Sequence, residues 1–236
     1  MIIPEFILTT LLVVYCSAFR ATTPLIKNVQ RGGIHFEGPH WSAAENALYW
    51  VDIQDQKVYR FDAETSNITC KSIVSLVVTV KDYPKLILVS VRSELYFLSW
   101  DSFENDSSLR LLSVVDLGLP DNRCNDGKVD AKGRLWFGNR RTLFSFQANN
   151  VTGVPDGMTI DSDGNLWVAC FNGWKVTSVM WGGHDLSTLF VTTSKVGLSQ
   201  AELNAQPEAG SLFAIEGTGA KGLPENQFVF ANAATF

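Results

Sequence analysis

Val154 to Gly173 reads VPDGMTIDSDGNLWVACFNG. A short apolar run, a turn through Asp161-Ser162-Asp163-Gly164-Asn165 and a second apolar run, Leu166 to Cys170, spell a β-hairpin with the turn chemistry such hairpins need. Just ahead of the first run stands Asp156, in a Pro-Asp-Gly bend. Pro155 fixes its own φ and Gly157 permits a tight bend, so the Asp156 carboxylate is expected to project from an edge. The same tripeptide also closes ordinary Asx-turns, and local sequence alone leaves both uses open.

Working outward, the second half of that hairpin recurs. A turn residue or two followed by Leu, an aromatic and a further hydrophobic appears at Leu48-Tyr-Trp, Leu95-Tyr-Phe, Leu135-Trp-Phe, Leu166-Trp-Val and Leu189-Phe-Val. Between these stand further β-type runs, among them Val58 to Asp62, Ser72 to Val80, Lys85 to Val91 and Leu109 to Val115. Stripes of 3.6-residue period between capping signals are nearly absent, so the chain is expected to be all-β. Self-similar strand units at roughly 40 to 45 residues are the blades of a β-propeller. A β-sandwich also has short alternating strands but does not predict the repeated Leu-aromatic strand after a turn. The spacing shrinks toward the C-terminus, where the last two steps between the repeat leucines are too short for a whole blade. Six blades would need roughly 240 to 270 residues at that period and about 218 follow residue 18, so either the ring has fewer or incomplete blades or segments have been lost.

The composition is that of a globular chain, 46% hydrophobic and 18% charged, with formal charge -5 and no basic run. It argues against nucleic acid or an anionic membrane as a partner, and points to a small molecule or a protein. Residues 1–18 carry an apolar run from Phe6 to Tyr15 and small residues at Cys16 and Ala18, the outline of a signal peptide cleaved after Ala18. Their one charge is Glu5, an atypical start, so cytoplasmic residence stays open as the alternative to secretion. Sequons at Asn67, Asn105 and Asn150 are compatible with a secreted chain. Residues 19–236 are expected to form one propeller domain without a membrane segment once the leader is gone. Cys70, Cys124 and Cys170 then remain, so at most one disulfide can form.

Three polar clusters share a phase. Glu37 lies in His35-Phe-Glu-Gly-Pro-His-Trp41, Arg123 and Asn125 in Asn122-Arg-Cys-Asn-Asp-Gly-Lys-Val-Asp130, and Asp156 in the hairpin above. Glu37, Asn125 and Asp156 each precede a repeat strand by about ten residues in a period of about 40 to 45. Equivalent places in successive blades lie at one end of a ring, where converging oxygens would make a site for a hard cation.

The blocks Glu37-Gly-Pro-His-Trp41, Arg123 to Asp130, Val154 to Asp161 with Gly164 to Ala169, and Gln206-Pro-Glu-Ala-Gly210 resemble the regucalcin (senescence marker protein), gluconolactonase and luciferin-regenerating enzyme family, its insect-type branch above all. The resemblance implies a six-bladed propeller with one divalent cation, Ca2+, Zn2+, Mn2+ or Mg2+, and hydrolysis of a lactone-like substrate. It implies Glu37 and Asp156 as metal ligands, Asp156 also as catalytic acid/base, and Arg123 and Asn125 as substrate-binding residues. The family's further asparagine ligand, and its substrate-contacting acid, have no counterpart here. Set against that family, Trp136-Phe-Gly138 runs at once into Asn139, and Lys175-Val-Thr-Ser-Val-Met180 skips strands, so the resemblance implies an all-β propeller of the six-bladed type with about one and a half blades missing, shortened near residues 138–139 and 175–177. A non-catalytic secreted propeller binding calcium or a small ligand is the alternative. Gly217-Thr-Gly-Ala-Lys-Gly222 is expected to be a glycine-rich loop, because Pro224 follows it and no helix begins. The three histidines show no zinc spacing.

Overall fold

The structure, a computed structural model, describes residues 11–14, 24–72, 76–101, 109–115, 124, 126–137, 154–171 and 175–230. Among them it is β throughout except for one short helix. The strands form antiparallel sheets laid down mostly in chain order. One sheet orders as β3-β4-β5-β6, from Phe36–Ser42, Ala47–Asp52, Lys57–Asp62 and Ile68–Ser72. The next orders as β10-β9-β8-β7, from Leu76–Thr79 (β7), Leu86–Val91 (β8), Glu94–Ser99 (β9) and Arg110–Val114 (β10). Gly127–Val129 and Leu135–Phe137 make a two-stranded sheet, β11-β12. Pro155–Ile160 (β13) and Leu166–Cys170 (β14) make the expected hairpin, and the backbone of Leu11–Val14 (β1) pairs with the far side of β14. The last sheet takes Val176–Gly182 (β15), Thr188–Thr193 (β16) and Leu212–Glu216 (β17), and is completed by Leu25–Gln30 (β2) from the other end of the chain.

Contacts group the chain into two compact units, residues 1–39 with 140–223, and residues 40–139 with 224–236. The first unit packs around Trp167 and Trp181, which meet edge to face with ring centroids 5.0 Å apart. In the second, every residue of β4 is buried. Its side chains still alternate: Ala47, Tyr49 and Val51 join the cluster with Ile87 and Val89, while Trp50 stacks on Tyr59 at 5.3 Å. Both faces of such a strand are covered, which is why its sequence reads as one apolar run rather than as apolar-polar alternation.

The Leu-aromatic repeat is out of phase at one place. Leu48, Leu135, Leu166 and Leu189 lie on the second strand of their sheets, but Leu95 lies on β9, the third strand of its own, with β8 in the equivalent position. Two inner strands of one sheet face the same packing demands and carry the same pattern, so the pattern does not index the strand. The short helix, Gln200–Ala205 (α1), begins with a capping box between Ser199 and Glu202. The Gly217–Gly222 segment is a loop, as expected. Gly217 and Gly219 have φ near +80°, and a Cβ on Gly222 would lie 2.0 Å from the Trp181 Cβ.

The hairpin turns share a device. Asp161 accepts from the backbone N–H of Asp163 and Asn165, from Asn165 Nδ2 and from Trp167 Nε1 at 2.8–3.0 Å. Asp130 does the same for Lys132 N, Arg134 N, Arg134 Nε and Trp136 Nε1. The pattern is Asp, Gly three residues on, then Leu-Trp, with the indole bound back to the carboxylate across the turn. Trp167 is buried and Trp136 exposed, so water can replace the second set of bonds but not the first. Asp161→Ala is therefore expected to cost ~2–4 kcal/mol in urea unfolding, since it strands a buried indole N–H and two backbone donors. Asp130→Ala is expected to cost clearly less in the same measurement.

Candidate metal centre

Glu37 sits on β3, only 9% exposed. Gly38 follows with φ +52°, which turns its own N–H back onto Glu37 Oε2 at 2.6 Å. Glycine favours that left-handed conformation, and space is not the reason for it, since a Cβ at that position would meet nothing. Phe36, fully buried, anchors the strand behind Glu37, and its ring takes the space a Cβ on Gly33 would fill.

Asp156 is half-buried on β13, but its setting differs from the expected bend. Pro155 already pairs with Cys170, and the ladder slips between Pro155 and Met158, so Asp156-Gly157 is a bulge inside the strand, not a turn ahead of it. Gly157 has no left-handed φ. It is small because another strand lies on it: an ideal Cβ at 157 would stand 2.0 Å from Ser178 Oγ and 2.8 Å from Ser178 Cα. Ser178 belongs to β15, and its neighbour Thr177 donates through Oγ1 to the Phe36 carbonyl at 2.6 Å. β15 thus touches the residue before Glu37 and the residue after Asp156. No local pattern marks these two hydroxyl residues, because a Thr-Ser pair inside an apolar strand carries no motif.

Glu37 and Asp156 both belong to the first unit. Arg123 and Asn125 lie outside the described residues. In the described part of their block, Asp126 Oδ1 accepts from the Gly127 N–H at 2.7 Å, and the Val129 carbonyl accepts from Asn226 Nδ2 at 3.1 Å. Two carboxylates are hard oxygen donors and fit a hard cation in kind; a Mg2+-like ion is commonly held by one or two carboxylates, with water completing the shell. Among the described residues no three His, Cys, Asp or Glu side chains come together. Cys70, Cys124 and Cys170 are free thiols, so no disulfide joins them. Among the described residues no helix is long and apolar enough to cross a membrane.

The second unit holds a polar network that the sequence did not announce. His40, 1% exposed, accepts from the Thr79 N–H at Nε2 (3.2 Å) and hydrogen-bonds the Thr79 hydroxyl at 2.9 Å. A ring nitrogen that accepts from a backbone N–H is unprotonated, so the hydrogen resides on Nδ1, 3.7 Å from Glu225 Oε1, which lies 3.9 Å from Lys128 Nζ. Burial pushes the His40 pKa down to about 4, against the pull of Glu225 and with the help of Lys128.

Comparison with known proteins places these features. The sequence profile described as "SMP-30/Gluconolactonase/LRE-like region" matches residues 36–141 and 138–179, two pieces that meet where the chain was expected to be shortened. Regucalcin from Xenopus laevis is 26% identical over 287 aligned positions, covering 81% of this chain and 94% of the relative. Regucalcin from Sus scrofa is 28% identical over 284, covering 80% and 92%. In the first alignment 81% of 236 is about 191 residues, so of 287 positions about 96 have nothing opposite in this chain. That is on the order of two blade periods, at least the one and a half expected. Among solved structures, the fold is similar to a luciferin-regenerating enzyme (TM-score 0.78, 22% identity, covering 88% of this chain and all of the other). It is also similar to a calcium-binding protein, regucalcin, of Agrobacterium tumefaciens (TM-score 0.72, 17% identity, covering 85% and 96%).

The depressed His40 pKa has a pH consequence. Between its ordinary value of 6.5 and about 4, the unfolded chain binds a proton that the folded chain refuses, so acidification through that window favours unfolding. Urea unfolding of the wild type is expected to lose up to ~3 kcal/mol from this group between pH 6.5 and 4. His40→Gln should flatten that part of the profile while lowering stability at neutral pH.

Proposed function

Because the chain belongs to the SMP-30/gluconolactonase/LRE-like family, we propose that it is a divalent-metal-dependent hydrolase of the lactonase type, opening a sugar lactone or a similar cyclic ester. The observation that carries this is the placement of Glu37 and Asp156 in one unit, with the backbone beside each held by the same strand.

When bound, the cation polarises the lactone carbonyl as a Lewis acid. Glu37 is its carboxylate ligand, oriented by the Gly38 N–H on Oε2. Asp156 is the second ligand and the proton carrier: it takes a proton from the attacking water as the new C–O bond forms. It returns that proton to the ring oxygen as the acyl C–O bond breaks, leaving a hydroxy acid. A half-buried carboxylate on a strand bulge suits that task, since it is reachable by water yet held by the strand. Arg123 and Asn125 bind the substrate, the guanidinium and amide matching the hydroxyl and carbonyl oxygens of a polyol lactone.

The same proposal puts the chain on the secretory route, with residues 1–18 as leader. Asn67, the sequon within the described residues, is exposed at the turn between β5 and β6, as an acceptor must be. The pairing of Leu11–Val14 with β14 would then belong to the uncleaved chain.

Purified protein assayed on aldonolactones with Mn2+, Zn2+ or Ca2+ tests the chemistry. The expected result is turnover that chelation abolishes and that Asp156→Asn lowers by about 100-fold or more. Equal background rates in wild type and Asp156→Asn, both melting cooperatively, contradict catalysis and leave a propeller that binds without turning over.

A further inference from the structure

Resting on the metal-site proposal above, we propose that Thr177 and Ser178 form a bracket that sets the separation of Glu37 and Asp156, acting as positioning residues for the cation ligands.

The ladder between β15 and β16 pairs Val176 with Thr193 and then Ser178 with Thr192, so Thr177 is an extra residue, a bulge. A bulge breaks the strict alternation of a strand and re-aims the side chain it carries. Here the re-aimed group is the Thr177 hydroxyl, fully buried, which donates to the Phe36 carbonyl at 2.6 Å. Thr192 Oγ1 braces it, 2.9 Å from Thr177 Oγ1 and 3.2 Å from the Ser178 carbonyl. The next residue, Ser178, seats its side chain and Cα against Gly157 so closely that no Cβ fits.

Phe36 precedes Glu37 in β3, and Gly157 follows Asp156 in β13. The two carboxylate-bearing backbones are therefore referenced to consecutive residues of a third strand, whose Cα atoms a trans peptide holds ~3.8 Å apart. That is a rigid ruler. Slip of β15 by one residue would set Val176 and Thr177, or Ser178 and Val179, at Phe36 and Gly157 and move both ligands, so register on β15 becomes geometry at the ion. The ruler also lies where the chain was expected to be shortened. Thr177 is the first residue after the Val176/Thr177 join, and the extra residue in the ladder falls on it. The bulge absorbs the join and at the same time supplies the hydroxyl that holds β3.

The test reads cation binding directly, as the Mn2+-dependent rise in melting temperature of the full chain. Thr177→Val keeps the shape and removes the donor; it is expected to weaken apparent Mn2+ affinity about 10–100-fold, the range for groups that orient metal ligands. Thr177→Ser, which keeps the hydroxyl, should stay within about twofold of wild type. Gly157→Ala should weaken Mn2+ binding similarly, and adding Ser178→Gly should restore part of it, because two of the three closest clashing atoms are then gone. If Thr177→Val melts lower without Mn2+ yet binds Mn2+ like wild type, the bracket is overturned and Thr177 is only a packing residue. If the wild type itself shows no Mn2+-dependent shift, the metal-site proposal fails. The bracket is then judged without cation by the melting-temperature cycle of Gly157→Ala and Ser178→Gly: non-additivity supports the contact and additivity overturns it.

Discussion

Backbone meeting side chain at van der Waals limit, Gly157 under Ser178, is the constraint on which the rest of the site depends. Oxygen ligands to a hard cation must be held to a few tenths of an ångström by groups that are themselves immobile. A carboxylate can offer that only where its backbone is anchored. Here each carboxylate rides on a strand whose neighbouring residue is pinned by β15, and β15 is buried along its whole length, its Val176, Val179 and Trp181 packed with Trp167, Phe213 and the rest of the first unit's core. The hydrophobic packing of that unit thereby becomes precision at its polar edge.

Loss of about two blade periods would be expected to ruin such an arrangement, yet the remaining strands keep their sheets. The two-part profile match meets near residues 138–141, where the first shortening was expected, and at Thr177 the ladder carries one extra residue without breaking. A strand can take up one extra residue without losing its ladder, whereas a helix cannot without turning its apolar face. Shortening a sheet protein at strand level is thus a local event, and the cost falls on unpaired edges rather than on the core.

Much of this was legible in the sequence because period-two patterns and turn residues are local. The Asp161 to Asn165 turn, the strands around it and the loop character of Gly217–Gly222 follow from residue chemistry that acts over a few positions. What escaped was relational. Leu95 carries the same triplet as Leu48 on a different strand of its sheet, since two inner strands face the same packing. Gly157 read as a turn glycine, but its purpose is the approach of Ser178, 21 positions away in sequence. Thr177 and His40 matter through partners at Phe36 and Thr79, which no local pattern names. Arg123 and Asn125 rest on the family resemblance alone.

Crystals of the protein grown with Mn2+ and measured at the manganese absorption edge put the central claim to its most direct test. The account predicts one strong anomalous peak with oxygens of both Glu37 and Asp156 within about 2.0–2.6 Å of it. A peak touching one of these carboxylates but not the other, or none at either while the strands around β15 stand as described, would contradict it.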